Sequence, residues 1–166
     1  GTTDTVASIA GAGNITLTGN LTAGATANTE FSGVMSSTGS FTKVGSGTLT
    51  LSGANTYSGT TTVSNGTLLI SNNAGLGTTA GGTTVNSGAT LDLYNVTIGA
   101  EAITLSGGTL SDVTSSLAGN ITLTADSTLN TNTGDTLTLS GIISGGYSIT
   151  KTGAGSVVLS GANTYT

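Results

Sequence analysis

The chain of 166 residues contains no cysteine, proline, histidine, tryptophan or arginine. Without cysteine there is neither disulfide stapling nor a thiolate metal site. Without histidine the usual general base and the usual transition-metal ligand are both missing. Together these absences remove most enzyme mechanisms. Positive charge is scarce as well: Lys43 and Lys151 face seven acids, and the net charge is −5. No basic patch exists to neutralise phosphates, which argues against nucleic acid and against an anionic membrane surface as partners. No apolar run approaches the roughly 20 residues of a spanning helix, so this segment is not expected to insert in a membrane. No signal peptide is visible, which leaves a cytosolic or an already matured chain.

What remains is threonine, at roughly a fifth of the residues, and 28 glycines. Glycine does not recur at every third position, and without proline a collagen helix is excluded. Mean hydropathy is +0.25, so there is apolar material to bury and no compositional reason for disorder. The apolar residues alternate with polar ones in short runs. Examples are Ile15-Thr16-Leu17-Thr18, Thr48-Leu49-Thr50-Leu51, Ile103-Thr104-Leu105-Ser106, Ile121-Thr122-Leu123-Thr124 and Thr136-Leu137-Thr138-Leu139. A period of two means strands with one buried face. Threonine suits them because its branched side chain is already restricted at χ1. No segment carries a helical period, so essentially no helix is expected.

Two repeats lie in the chain. Thr42 to Tyr57 returns as Thr150 to Tyr165, with eleven of sixteen positions identical at an offset of 108. Beneath it runs a shorter unit, in which an apolar residue, a small turn and another apolar residue recur. It begins at Val63, Val85, Leu105 and Leu123, with spacings of 22, 20 and 18. The long offset then equals about five short units. A unit of about 20 residues cannot bury a core alone, so units must stack. A leucine-rich repeat would need its Leu and Asn signature and a helical segment, and has neither. The pattern predicts an all-β parallel β-helix, a β-solenoid of about eight coils and roughly 40 Å in length. Leu49, Leu51, Leu68, Val85, Leu91, Leu105, Leu110, Leu123 and Leu129 are the expected inward residues.

The block Gly45 to Tyr57, continued by Ser58-Gly59-Thr60-Thr61-Thr62-Val63-Ser64-Asn65-Gly66-Thr67-Leu68, resembles the passenger-associated strand repeat of Gram-negative autotransporters. So does Leu139-Ser140-Gly141-Ile142-Ile143-Ser144-Gly145-Gly146, running through Lys151-Thr152-Gly153 to Tyr165. The first copy's counterpart begins at Phe31-Ser32-Gly33-Val34-Met35. The expected organisation is a single β-helix module over 1–166 with related repeats at about 13–57 and 119–165. The resemblance implies a right-handed β-helix stem on a passenger that is extracellular or exposed at a Gram-negative cell surface. The family's membrane barrel is not visible here, which implies a passenger fragment or a secreted relative.

Candidate sites are few. Asp92 and Asp112 are 20 residues apart and would align on adjacent coils as a carboxylate pair for polysaccharide cleavage. Without arginine nothing would hold a sugar acid, and two solvated acids explain them as well. Asp126, Asn130, Asn132 and Asp135 offer oxygens for calcium, but not at EF-hand spacing. Gly107 to Val113 resembles one calcium nonapeptide, an architecture that depends on tandem copies. Asn-x-Thr sequons at Asn14, Asn20, Asn65, Asn95 and Asn120 are expected by chance in such a composition. Thr-x-Thr runs at 16–18, 48–50 and 60–62 would form a flat hydroxyl array suited to ice, but coil lengths of 18 to 22 should spoil its lattice. Asn55 and Asn163 are expected to bond backbone at matched corners and stack as ladders, with Tyr57 and Tyr165 covering the apolar end of the coil. No catalytic residue, cofactor or metal is expected.

The last residues, Gly161 to Thr166, match Gly53 to Ser58, and the first, Gly1-Thr2-Thr3-Asp4-Thr5-Val6, read like the continuation Gly59 to Val63. The expected end-to-end contact uses Gly1, Thr2, Thr3, Val6, Tyr165 and Thr166. The sequence thus points to a non-catalytic structural module of an extracellular fibre, stacking on itself head to tail or in tandem. Alternatives are an adhesin stem that attaches to other cells or surfaces, and a carbohydrate-active β-helix.

Overall fold

The computed structural model describes residues 2–166. Every element among them is a strand, and every pair of strands is parallel. The chain winds as a β-solenoid of about eight coils with three faces. The first face stacks Thr3–Val6, Asn20–Ala23, Ser40–Lys43, Thr61–Val63, Thr83–Asn86, Ile103–Ser106, Ile121–Ala125 and Ile143–Ser144. The second stacks Thr29–Phe31, Thr48–Leu51, Gly66–Ile70, Ala89–Tyr94, Thr109–Val113, Ser127–Thr131 and Ile149–Thr152. The third is broken into a two-stranded piece, Ile15–Thr16 with Met35–Ser36, and a four-stranded piece. The latter holds Thr97–Ile98, Ser116–Leu117, Thr136–Leu139 and Ser156–Leu159.

Register makes the alternation into columns. On the first face Ala23, Lys43, Val63, Val85, Leu105 and Leu123 lie over one another inside the coil. On the second Leu49, Leu68, Leu91, Leu110 and Leu129 do the same. All nine residues read as inward from the sequence are buried. Each coil therefore rests its apolar side chains on those of its neighbours, and the core is a continuous column along the axis.

The outward positions are equally regular. Thr22, Thr42, Thr62, Thr84, Thr104 and Thr122 form one column. Thr48, Thr67, Thr90, Thr109, Thr128 and Thr150 form another. Variable coil length does not spoil them, contrary to the reading from sequence. Thr83 lies on Thr61, 22 residues on, and Ile121 on Ile103, 18 residues on. The difference is absorbed at corners, such as the turn over residues 73–76, while the sheets stay in step. In-register columns bring β-branched side chains together across strands, which is the unit of sheet stabilisation.

The 108-residue repeat has a second meaning in three dimensions. Thr42 and Lys43 lie on the first face, but Thr150 and Lys151 lie on the second. The offset is five coils and one further face, rather than a whole number of coils. Met35 is in the third face and its counterpart Ile143 in the first. The same sequence thus builds the same local structure on different faces.

Candidate functional site

The repeat makes the most distinctive arrangement of polar groups in the molecule. It starts from an inward lysine. Lys43 follows Phe41 in alternation and is fully buried. Its Nζ donates to the carbonyls of Val44 (2.8 Å), Gly45 (2.9 Å) and Asn65 (3.1 Å). The first two belong to its own turn and the third to the next coil. Burial pushes its pKa down, since no carboxylate partners it. Lys151 repeats the first half, donating to Thr152 O (2.9 Å) and Gly153 O (2.7 Å). Gly45 and Gly153 both hold a left-handed φ, of 74° and 71°, which turns these carbonyls toward the ammonium.

The corner asparagine completes the repeat. Asn55 Oδ1 accepts from Met35 N (2.8 Å), one coil back, and its Nδ2 donates to Gly75 O (2.7 Å), one coil on. Asn163 Oδ1 accepts from Ile143 N (2.8 Å). The amides of Thr56 and Thr164 donate to the Met35 and Ile143 carbonyls in the same way. Asn55 is therefore joined to backbone on both sides rather than to another asparagine. Tyr57 is fully buried, and its hydroxyl meets Thr61 Oγ1 at 2.6 Å. Burial pushes the phenol well above its ordinary pKa. Tyr165 is partly buried against the core.

The acids do not gather. Asp92 pairs in register with Ser111, and Asp112 with Leu93. The intervening second-face coil is one residue shorter than the spacing of the two aspartates, so they fall on opposite sides of the sheet. That corrects the alignment expected from a spacing of 20. Asp112 is inward and fully buried, while Asp92 is outward and half-buried. Asp126 and Asp135 sit at successive corners with Ser127–Thr131 between them. Asp126 Oδ1 accepts from Ser148 N and Oγ, both at 2.9 Å, and these bonds lower its pKa. Among the described residues no group of acids is placed to hold a metal, and no pocket is found.

Glu101 is a buried acid that the sequence reading passed over. Thr83 Oγ1 donates to its Oε1 at 2.8 Å, and burial raises its pKa. The inward placement of Lys43 and of Asp112 was not anticipated either. Alternation was the available signal: Phe41-Thr42-Lys43 and Leu110-Ser111-Asp112 both place the charged residue on the apolar phase.

The residues expected at an end-to-end contact lie at opposite ends of the rod. Thr3–Val6 is the outermost strand of the first face, and Tyr165 and Thr166 lie beyond the opposite outermost strand. Gly1 is outside the described residues.

The fold thus defines a parallel β-solenoid with an apolar core, in which a few interior polar groups, Lys43 and Asn55 among them, bond backbone of adjoining coils. Two segments, 41–70 and 149–166, match the family model of the passenger-associated-transport-repeat. The chain carries this repeat twice, once beginning on the first face and once on the second. No curated protein and no solved structure matches the chain significantly.

Proposed function

We propose that the chain is a non-catalytic stem module of a surface-exposed autotransporter-type passenger of a Gram-negative bacterium. The observation that carries this reading is the repeat itself, whose lysine ties its own turn to backbone of the next coil and whose asparagine bonds backbone of the coils on both sides. A rod of stacked coils with a thin hydroxyl surface is suited to holding something away from a surface. Surface labelling and protease shaving of the native cells test the location. Protein found only inside the cell would overturn it.

The finer reading is that modules join end to end, in tandem or as separate copies. The repeat's phase sets the geometry of such a junction. After Asn55 on the third face the chain proceeds to Thr61–Val63 on the first. Asn163 lies on the first face, over Ile143, so a continuing strand falls on the second, over Ile149–Thr152. Thr2 to Val6 taken as that strand turns each module by one face, roughly a third of a turn. Repetition then yields an open helical rod rather than a closed oligomer. Asn20 N donates to Thr2 O at 3.0 Å, which points the amide of Thr3 toward the open edge. Thr3→Pro is therefore expected to leave the module folded and to stop joining, read by electron microscopy of rods and by size in solution. Wild-type chain that stays monomeric at high concentration, with native material lacking such rods, would overturn joining between separate copies.

A further inference from the structure

Buried side-chain oxygens without a hydrogen-bond partner occur at Asp92, Asp112 and Thr131, and at Asp112 both carboxylate oxygens are of this kind. Asp112 is fully buried, and neither of its carboxylate oxygens makes a hydrogen bond. Its register partners are Leu93 on one side and Thr131 on the other, and Thr131 Oγ1 is likewise buried and unpaired. The amide and hydroxyl of Ser115 lie close enough to favour the ionised form a little, but neither reaches hydrogen-bonding geometry.

The charged surroundings are unfavourable on every side. Asp92, on the preceding strand, and Asp135, before Thr136–Leu139 in the following coil, both add negative potential. Ser127–Thr131 and Ser116–Leu117 bring no charge. The chain has no arginine or histidine. Lys151, two strands away on the same face, is committed to Thr152 O and Gly153 O. Lys43 is on the first face and bound to three carbonyls. The core here has no pocket for a hydrated ion. A buried carboxylate left without donor or counter-ion is costly, and the least bulky remedy is a proton.

We propose that Asp112 is a built-in proton switch: it is neutral in the closed coil at acidic pH, and its ionisation as pH rises loosens the corner that joins the second and third faces at Val113 to Ser115. The corner is suited to open first, because Thr114 holds a left-handed φ of 48°, which a β-branched residue rarely adopts. Burial, reinforced by Asp135 and Asp92, raises the Asp112 carboxyl to about 6. The sign follows from linkage. The folded chain binds the proton more tightly than the unfolded one, so this contribution is complete below the ordinary carboxylate pKa and is lost as pH rises through about 6. A displacement of that size weakens the folding equilibrium by roughly a hundredfold across the window. Glu101 and Asp92 shift in the same direction, and Asp126 in the opposite one.

The test is the stability of the full chain against pH, in wild type and in Asp112→Asn, with Glu101→Gln as a comparison. The loss in folding constant from pH 4 to pH 7.5 is expected to be greater in wild type than in Asp112→Asn by about a hundredfold. Asp112→Asn should lose far less and be the more stable at pH 7.5, while Glu101→Gln should keep the Asp112 component. Amide exchange at Val113 to Ser115 should quicken in wild type as pH rises, beyond the intrinsic base catalysis. An unchanged pH dependence in Asp112→Asn overturns the proposal. So does a calcium-induced gain in wild-type stability at pH 7.5 that Asp112→Asn lacks, which would make the site a cation site. If Asp112→Asn does not fold, the carboxyl carbon of Asp112 is titrated by NMR in wild type, and a midpoint below 5 overturns it.

Discussion

Lys43 and Lys151 occupy equivalent places in the repeat, yet their surroundings differ. The first is sealed beneath the coil that contains Asn65, and the second is exposed. Lys43→Met keeps the length of the side chain and removes the ammonium. It leaves three carbonyls that had faced it, so a loss of roughly 2–4 kcal/mol is expected by urea denaturation. Lys151→Met should cost clearly less in the same chain. Equal costs would mean that the Asn65 contact and the burial contribute nothing. The lysine is thus a joint between coils, in place of a charge for solubility. Ammonium suits this role because it offers three donors on a flexible stem.

At the scale of the element, corners decide what each coil tolerates. Glycines stack at one of them: Gly19, Gly39, Gly59 and Gly81 follow one another along the axis. A Cβ at Gly59 would overlap the carbonyl oxygen of Gly39, on backbone that cannot swing aside. Gly99, by contrast, has open space around its missing Cβ. Gly59→Ala is expected to cost several kcal/mol in thermal or urea unfolding, and Gly99→Ala to stay within about 0.5 kcal/mol. Similar values for the two would show that the coil spacing at this corner can relax. The strands themselves are simple. Alternation gave their inward residues correctly because one face of each is dry and the other wet.

For the whole molecule, the core is a single column, narrow enough that each layer depends on its neighbours. Leu68 lies between Leu49 and Leu91, fully buried. Leu68→Asp is expected to abolish folding, seen as loss of the strand signal in circular dichroism, because the charge would have no partner in that column. A folded variant would mean that the interior admits water at that level. The contrast with Asp112 is informative, since the native aspartate sits beside Thr131 and Ser115 at a corner rather than between leucines.

The sequence by itself determined the fold class, the absence of helix, the inward residues and the presence of the passenger-type repeat. Each of these rests on local pattern: a period of two, small turn residues, and a motif whose copies are alike over sixteen positions. The phase between those copies was decided only by the tertiary structure. Spacing along the chain counts residues, whereas position on the solenoid depends on how many residues each corner absorbs, and corners differ. For that reason an offset of 108 became five coils and one face. For the same reason Asp92 and Asp112, 20 residues apart, came to lie on opposite sides of one sheet. A slip of one residue is invisible in composition and motif, but in a β-strand it exchanges inside for outside.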